Sequence, residues 1–242
     1  MTTIAVLNVN TTAAMTDAMV DAARNAAGPD ISVIGLTPST GVPACEGHVD
    51  SAYSTVAMLE TLRDFRGELD AVVLAGVGDG SVEALREFSV VPVIDVTEAA
   101  AMTALSLGES FSFVTTVPRA IGMITDRLRI AGLDDKLMSV RASGLGVLEL
   151  EGNDSLTTLI DQAKVAVEQD KAEVICLGCC GMAGLDSAIS EATGVPVIDP
   201  VPAAVAIGAG ILRQRLQTSR IRRYSQFVNE PAKQTTHRVV EA

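Results

Sequence analysis

The sequence predicts an α/β protein of two pseudo-symmetric lobes, each a four-stranded parallel sheet flanked by helices, with the active site in the cleft between them. Short apolar, β-branched runs alternate with segments of helical period along the whole chain, as is typical of parallel sheets covered by helices. The chain also repeats itself: LAGVG at residues 74–78 matches LGCCG at residues 177–181, and VPVID occurs at residues 91–95 and 195–199. Matches at the same place in each half indicate two related lobes.

Eight strands are predicted, four in each half of the chain. They are TIAVLN from Thr3, ISVIGL from Ile31, DAVVLA from Asp70, PVID from Pro92, FSFVTT from Phe111, KLMSVR from Lys136, EVICLG from Glu173 and PVID from Pro196. The first lobe is predicted to hold residues 1–96 and about 206–225, because the last helix is expected to return to it. The second lobe holds residues 97–205, and residues 226–242 form a polar C-terminal tail.

Composition narrows the function classes. The chain has 242 residues, 48% of them hydrophobic, so it can bury a core without disulfides. A formal charge of -12 repels phosphate backbones, which argues against a nucleic-acid partner. The longest apolar stretch, VPAAVAIGAGIL, is shorter than the roughly 20 residues of a membrane helix, which argues against a membrane partner. Clustered cysteines and an N-terminus without a signal-peptide pattern predict a cytoplasmic protein.

The predicted cleft is lined by the segments that follow four of the strands. Ligands of parallel sheets bind outside the carboxyl ends of the strands, where loops and helix N-termini expose backbone N–H groups. The residues expected there, besides a central cysteine, are Val9, Asn10, Gly76, Val77, Gly78, Thr115, Thr116, Val117, Cys180 and Gly181. Asn10 and Thr116 suit either helix capping or ligand binding, and both roles can coexist.

The central candidate is Cys179, at the change from strand to helix. Amide donors and the helix dipole are expected to lower its pKa, and Gly178 and Gly181 leave room for a substrate. The alternative, a cysteine that packs as a small hydrophobe, is preferred for Cys176 inside the strand. Cys180 stays ambiguous because its side chain should point away from that of Cys179.

Other chemistries find little support. Cys176 and Cys179 have redox or zinc spacing, but no second Cys or His pair completes a metal site. GVGDGS from Gly76 departs from the dinucleotide motif at Ser81. The chain has two histidines, His48 and His237, so we do not expect nucleophilic catalysis that depends on a histidine base. We therefore expect neither a cofactor nor a metal.

The order LNVNTT, EGHVDSA, LAGVGD, VIDVTEAA, FSFVTT, LGCCGM, GVPVIDP and QTSRIRRYSQ resembles the hydantoin and allantoin racemases of the Asp/Glu/hydantoin racemase superfamily, up to about Gln226. The resemblance implies a cofactor-independent racemase, commonly a homo-oligomer, that acts on a small molecule with carbonyl or carboxylate groups. In these enzymes two cysteines face each other across the cleft. One removes the proton from C5 of a hydantoin and the other returns one to the opposite face; the second of them falls on Cys179.

The first of those cysteines falls on Gly76, and Val9 stands where the racemases usually have proline. One glycine with one cysteine resembles arylmalonate decarboxylase, in which a single cysteine protonates the enediolate left by loss of carbon dioxide. Three hypotheses follow: a racemase with a substitute base, such as Asp79 or Glu98; a single-cysteine decarboxylase of disubstituted malonates; or an inactive or non-enzymatic binder. Symmetry predicts that Gly76→Cys would restore the second thiol.

In either enzyme an enolate-like intermediate needs donors. The resemblance and the strand ends together predict six of them: the backbone N–H groups of Val77, Gly78, Cys180 and Gly181, with the side chains of Asn10 and Thr116.

Overall fold

The computed structural model describes residues 2–150 and 155–225, which contain two parallel sheets of four strands each. The first sheet has β1 (Thr2–Asn8), β2 (Ile31–Leu36), β3 (Ala71–Ala75) and β4 (Val93–Asp95), in the order β2-β1-β3-β4. The second has β5 (Phe111–Thr115), β6 (Leu137–Ala142), β7 (Val174–Leu177) and β8 (Val197–Ile198), in the equivalent order β6-β5-β7-β8. The eight predicted strands and the fold class are confirmed, whereas the predicted tail, residues 226–242, lies outside the described residues.

Eight α-helices cover these sheets in the described part of the chain. They are α1 (Ala13–Ala27), α2 (His48–Asp64), α3 (Val82–Phe88), α4 (Val96–Ala104), α5 (Ala120–Ala131), α6 (Ser155–Glu168), α7 (Asp186–Thr193) and α8 (Pro200–Arg213). Within residues 2–150 and 155–225, no helix is long and apolar enough to cross a membrane.

The inner strands are apolar along their whole length because helices cover both faces of each sheet. All five residues of β3, AVVLA, and all four of β7, VICL, are buried. Strands buried on both faces lack the alternation of apolar and polar residues seen in half-exposed strands. For this reason short apolar runs were enough to predict the strands.

The two lobes exchange a helix. Helix α4 follows β4 of the first sheet but also packs on β7, β8 and α5, whereas α8 follows β8 of the second sheet and packs on α1, β1, β3 and β4. The repeated VID motif begins both helices, since Asp95 accepts hydrogen bonds from Thr97 N and Glu98 N, and Asp199 accepts one from Val201 N. The return of the last helix to the first sheet is thus seen, while the exact lobe boundaries stay a prediction.

A buried arginine ties the lobes together. Arg127 on α5 is 4% exposed, and its guanidinium contacts Glu83 on α3 and Glu98 on α4, each at 2.8 Å. Its Nε lies 3.8 Å from Asp95 Oδ2, and neither of these two atoms has a hydrogen-bond partner among the described residues. Burial, together with the Glu98 charge, raises the pKa of Asp95 to about 7. The network is therefore costly to bury, and Arg127 is the cation that contacts all three of its carboxylates, while Arg86 also pairs with Glu98.

We expect Arg127→Leu to lower the free energy of unfolding by about 3 kcal/mol or more, because it leaves the fully buried Asp95 carboxylate without its nearby cation. Arg129→Leu is the matched control: Arg129 lies on the same helix, is 65% exposed and pairs with the exposed Asp126. Its loss should cost less than about 0.5 kcal/mol. Urea unfolding of both variants measures the difference, and equal losses would contradict the assignment.

Candidate active site

A small cavity of about 50 Å³ lies at the carboxyl ends of β1, β3, β5 and β7, between the lobes. Nine of the residues predicted for the cleft line it: Val9, Asn10, Gly76, Val77, Thr115, Thr116, Cys179, Cys180 and Gly181. Two others, Gly78 and Val117, lie outside the lining. The structure thus gathers residues as far apart in the chain as Val9 and Gly181 around one space.

Position 78 requires glycine, but for a structural reason and not for substrate binding. Its φ is +74°, and a Cβ there would lie 2.9 Å from the backbone nitrogen of Ile124 on α5. Its N–H donates to Thr97 Oγ1 at 2.9 Å. Glycine is therefore needed for a close approach between the lobes, and the prediction that Gly78 N–H serves the substrate is wrong.

Sequence reasoning missed a loop that closes the cavity, of which Cys45 and Glu46 line the cavity wall. Glu46 belongs to the first lobe, yet its carboxylate accepts hydrogen bonds from Arg119 Nη2 and Val147 N, both at 2.8 Å and both in the second lobe. Glu46 belongs to the EGHVDSA motif that the family resemblance includes. Its place in the cavity wall was not predicted, because no strand end fixes the position of this loop. Apolar side chains, among them Met15, Met19 and Met123, complete the lining.

Cys179 has extended backbone angles, φ −157° and ψ 133°, and caps a three-residue 3-10 helix, Cys180–Met182. Gly181 N–H donates to its Sγ at 3.4 Å. The side chain is partly accessible from the cavity but is surrounded by protein. Burial raises the pKa of the thiol to about 11; Gly181 N–H opposes this shift, and the Glu46 charge adds to it.

The expected lowering of this pKa is therefore wrong. A single turn of 3-10 helix has no macrodipole comparable to that of a long α-helix, and one N–H donor does not offset the loss of water around a thiolate. Cys179 is a protonated thiol at neutral pH.

Two side-chain donors face the cavity. Asn8 orients Asn10, because Asn8 Nδ2 donates to Asn10 Oδ1 at 3.0 Å and Asn8 Oδ1 accepts from Asn10 N at 3.1 Å. This leaves Asn10 Nδ2 with one weak contact, to Met15 Sδ at 3.5 Å. Thr116 Oγ1 makes no hydrogen bond within residues 2–150 and 155–225, whereas Thr115 Oγ1 donates to Gly178 O at 2.8 Å. Asn10 and Thr116 are thus the available donors, and Thr115 is a structural residue.

Backbone donors are less available than the sequence predicts. Gly181 N–H is engaged by Cys179 Sγ, and Gly78 N–H is engaged by Thr97 Oγ1. The other two predicted backbone donors, Val77 N–H and Cys180 N–H, make no such hydrogen bond within the described segments. The site therefore relies more on side chains than the strand-end pattern implies.

The position opposite Cys179 is sterically blocked. A Cβ on Gly76 would overlap Val9 Cγ1 and would lie 3.1 Å from Asp79 Cβ. Val9 is itself buried. Gly76 and Val9, the two departures from the racemase pattern, are therefore one coupled feature.

The buried Asp79 and the partly buried Cys45 form a pair beside Gly76. Asp79 is 2% exposed and accepts hydrogen bonds from Ser81 N at 2.9 Å and from Ser81 Oγ. Cys45 Sγ lies 3.6 Å from Asp79 Oδ2. Burial raises both pKa values, that of the Cys45 thiol to about 12 with a further contribution from the Asp79 charge. The other candidate substitute base, Glu98, is bound to Arg86 and Arg127 and does not line the cavity.

No lysine or arginine lines the cavity among the described residues, whereas the carboxylates of Glu46 and Asp79 do. In the same part of the chain, no three His, Cys, Asp or Glu side chains are grouped so that they would hold a metal ion. The electrostatic environment is thus neutral to negative.

Two facing α/β lobes with a thiol at a strand end define an enzyme of the racemase class. Residues 4–208 match the family model of Asp/Glu/hydantoin racemases, and the chain belongs to this family. The allantoin racemase of Pseudomonas fluorescens is 45% identical, with a TM-score of 0.91 over 97% of this chain and 99% of that one. A hydantoin racemase of Paenarthrobacter aurescens is 34% identical over 92% of this chain and 96% of its own. Arylmalonate decarboxylase, at 20% identity and a TM-score of 0.57 over 87% and 92% of the chains, shares the fold.

We expect iodoacetamide to alkylate Cys179 more than about tenfold more slowly than free cysteine at pH 8, since only the thiolate reacts and this pKa is raised to about 11. The rate should rise about tenfold per pH unit up to pH 10. Peptide mass spectrometry assigns the modified residue. A pH-independent rate above pH 8 would show that the pKa is not raised.

Proposed function

We propose that this protein racemises 5-substituted hydantoins, or closely related neutral cyclic ureides, by proton transfer at C5 with Cys179 as the acid/base on one face. The observation that carries the proposal is a thiol in an enclosed cavity that offers amide and hydroxyl donors but no cation. The family relationship and the names of its hydantoin and allantoin racemase relatives support the same reaction. Allantoin is itself a hydantoin with a ureido group on C5.

Charge favours a neutral substrate. A carboxylate buried near Glu46 and Asp79 would lose its water without gaining a counter-ion, which is expensive in a protein interior. A neutral hydantoin ring carries two carbonyl acceptors and two N–H donors. Of the carbonyl and carboxylate substrates expected from the sequence, the carbonyl class therefore fits better.

The proposed step begins with the Cys179 thiolate, which takes the C5 proton. The electron pair moves towards the adjacent carbonyl oxygen, where Asn10 Nδ2 and Thr116 Oγ1 are placed to donate. The loop held by Glu46 limits access of water, which strengthens these electrostatic interactions. A thiolate with a raised pKa is also a stronger base towards a weak carbon acid.

A second candidate is decarboxylation of disubstituted malonates by the single thiol. The overlap between Val9 and any side chain at position 76 favours it, because it shows a site adapted to glycine there. The charge of the cavity argues against it. Cytoplasmic location, homo-oligomeric assembly and independence of cofactors stay predictions.

The reaction is tested in deuterium oxide with each enantiomer of a 5-alkyl hydantoin, with optical rotation and loss of the C5–H signal in proton NMR as readouts. We expect racemisation with deuterium uptake, reduced at least a hundredfold in Cys179→Ala because general acid–base groups contribute about 10²–10⁴. Cys176→Ala is the control, since Cys176 is fully buried within β7. Unchanged turnover in Cys179→Ala would refute the role, and Cys179-dependent carbon dioxide release from an aryl methyl malonate would establish the second candidate.

The coupling of Gly76 and Val9 is tested by stability. Gly76→Cys should lower the free energy of unfolding by about 1–3 kcal/mol, as overpacking does. In a Val9→Ala background the same change should cost much less, because the overlapping methyl group is gone. Urea unfolding of the two single variants and the double variant gives the coupling energy. Additive effects would show that Val9 does not obstruct a thiol at position 76.

A further inference from the structure

The first lobe has a thiol of its own in the cavity. Cys45 lies between β2 and α2, and it lines the same small space as Cys179, which comes from the second lobe. Cys45 is partly buried and makes no disulfide. Cysteines of both lobes therefore reach one cavity, Cys45 from the first lobe and Cys179 and Cys180 from the second, although the position of the family's first cysteine is glycine.

Cys45 is placed beside that vacant position. Asp79 Cβ lies 3.1 Å from where a Cβ on Gly76 would stand, and Asp79 Oδ2 lies 3.6 Å from Cys45 Sγ. Gly76 is the symmetry equivalent of Cys179. The pair of Cys45 and Asp79 therefore sits on the side of the cavity that the fold sets opposite Cys179.

The neighbours of Cys45 act on its protonation in opposite directions: burial and the Asp79 charge favour the thiol, whereas Ser54 favours the thiolate. Ser54 Oγ on α2 is completely buried and has no hydrogen-bond partner among the described residues. The Ser54 hydroxyl favours the thiolate form of Cys45 and so partly offsets the increase in the Cys45 pKa that burial causes. A buried hydroxyl without a partner is costly, and a thiolate at Cys45 would provide one. Asp79, which accepts hydrogen bonds from Ser81, can take the Cys45 proton when Cys45 must become a thiolate before it removes the C5 proton of the other enantiomer.

We propose that Cys45 is the second acid/base of this site and exchanges a proton with the substrate carbon on the face opposite Cys179, with Asp79 as its positioning and proton-accepting carboxylate. This proposal rests on the proposed racemase function. In one direction the Cys179 thiolate takes the C5 proton and the Cys45 S–H bond gives its proton to the other face. The products are a Cys179 thiol and a Cys45 thiolate, and the reverse reaction uses the two groups in exchanged roles.

The proposal also accounts for Gly76 and Val9. A thiol at position 76 would compete with Val9 and would lie against Asp79, where Cys45 now approaches. Glycine at position 76 leaves this space to Val9 and Asp79. The site then keeps two thiols on opposite faces, with one of them supplied by a loop instead of a strand end.

The experiment compares Cys45→Ser and Asp79→Asn with the parent protein and with Cys176→Ala, which removes a thiol from the core. Each enantiomer of a 5-alkyl hydantoin is incubated separately in deuterium oxide, and the rate without protein is subtracted. We expect both variants to lose racemisation, by at least about a hundredfold for Cys45→Ser. We also expect both to keep Cys179-dependent exchange of C5–H in one enantiomer, with retention of configuration.

One-sided exchange without racemisation is the signature that a merely structural role would not produce. The inference is overturned if folded Cys45→Ser racemises within about threefold of the parent, or if it loses exchange in both enantiomers together with racemisation. The proposed function fails separately, if the parent neither racemises nor exchanges, or if Cys179→Ala does both normally. For Asp79→Asn, removal of the negative neighbour should also lower the pKa of Cys45, seen as faster alkylation of Cys45 at pH 8 by mass spectrometry.

Discussion

The buried Arg127 guanidinium is the interaction on which the geometry of the site depends. It lies on a second-lobe helix and meets carboxylates of the first lobe, including Asp95 at the end of β4. Asp95 in turn caps α4 through Thr97 N, and Thr97 Oγ1 accepts from Gly78 N–H in the turn that follows β3. One chain of contacts thus runs from the interface between the lobes to the strand end that carries Gly76. The lobes cannot separate without exposing this network.

The two lobes share the same fold but differ in the side chains that they place in the cavity. The two sheets have equivalent strand orders and equivalent capping aspartates, yet the second lobe brings a cysteine at its strand end and the first lobe brings glycine. The carboxylates that line the cavity, Glu46 and Asp79, both belong to the first lobe. Because a stable fold needs only the backbone and the core to be alike, the strand-end residues are free to diverge, and the loop between β2 and α2 of the first lobe places Cys45 and Glu46 in the cavity wall.

The sequence predicted the strands well because each one is a buried apolar run, and the repeated LAGVG and LGCCG segments located the cavity for the same reason. The sequence did not predict the features of the site that depend on contacts between the lobes. Gly78 faces Ile124 of the other lobe, and Cys45 stands in a loop whose path follows from hydrogen bonds made 73 and 101 residues away by Glu46. The raised pKa of Cys179 reflects burial, which local residue spacing does not report.

Because the pKa of the Cys179 thiol is raised to about 11, forming the thiolate costs free energy at neutral pH. Ionising it at pH 7 costs about 5 kcal/mol, since each pKa unit corresponds to about 1.36 kcal/mol. A preorganised donor to a developing oxyanion contributes about 2.7–4 kcal/mol. In the proposed reaction, donation by both Asn10 Nδ2 and Thr116 Oγ1 would be of the size needed to offset that cost. Burial makes the Cys179 thiolate rare in the free protein. The same burial would strengthen hydrogen bonds to a bound substrate, because little water would remain to compete with them. The raised pKa and the strength of these hydrogen bonds therefore have one cause, the exclusion of water from the cavity.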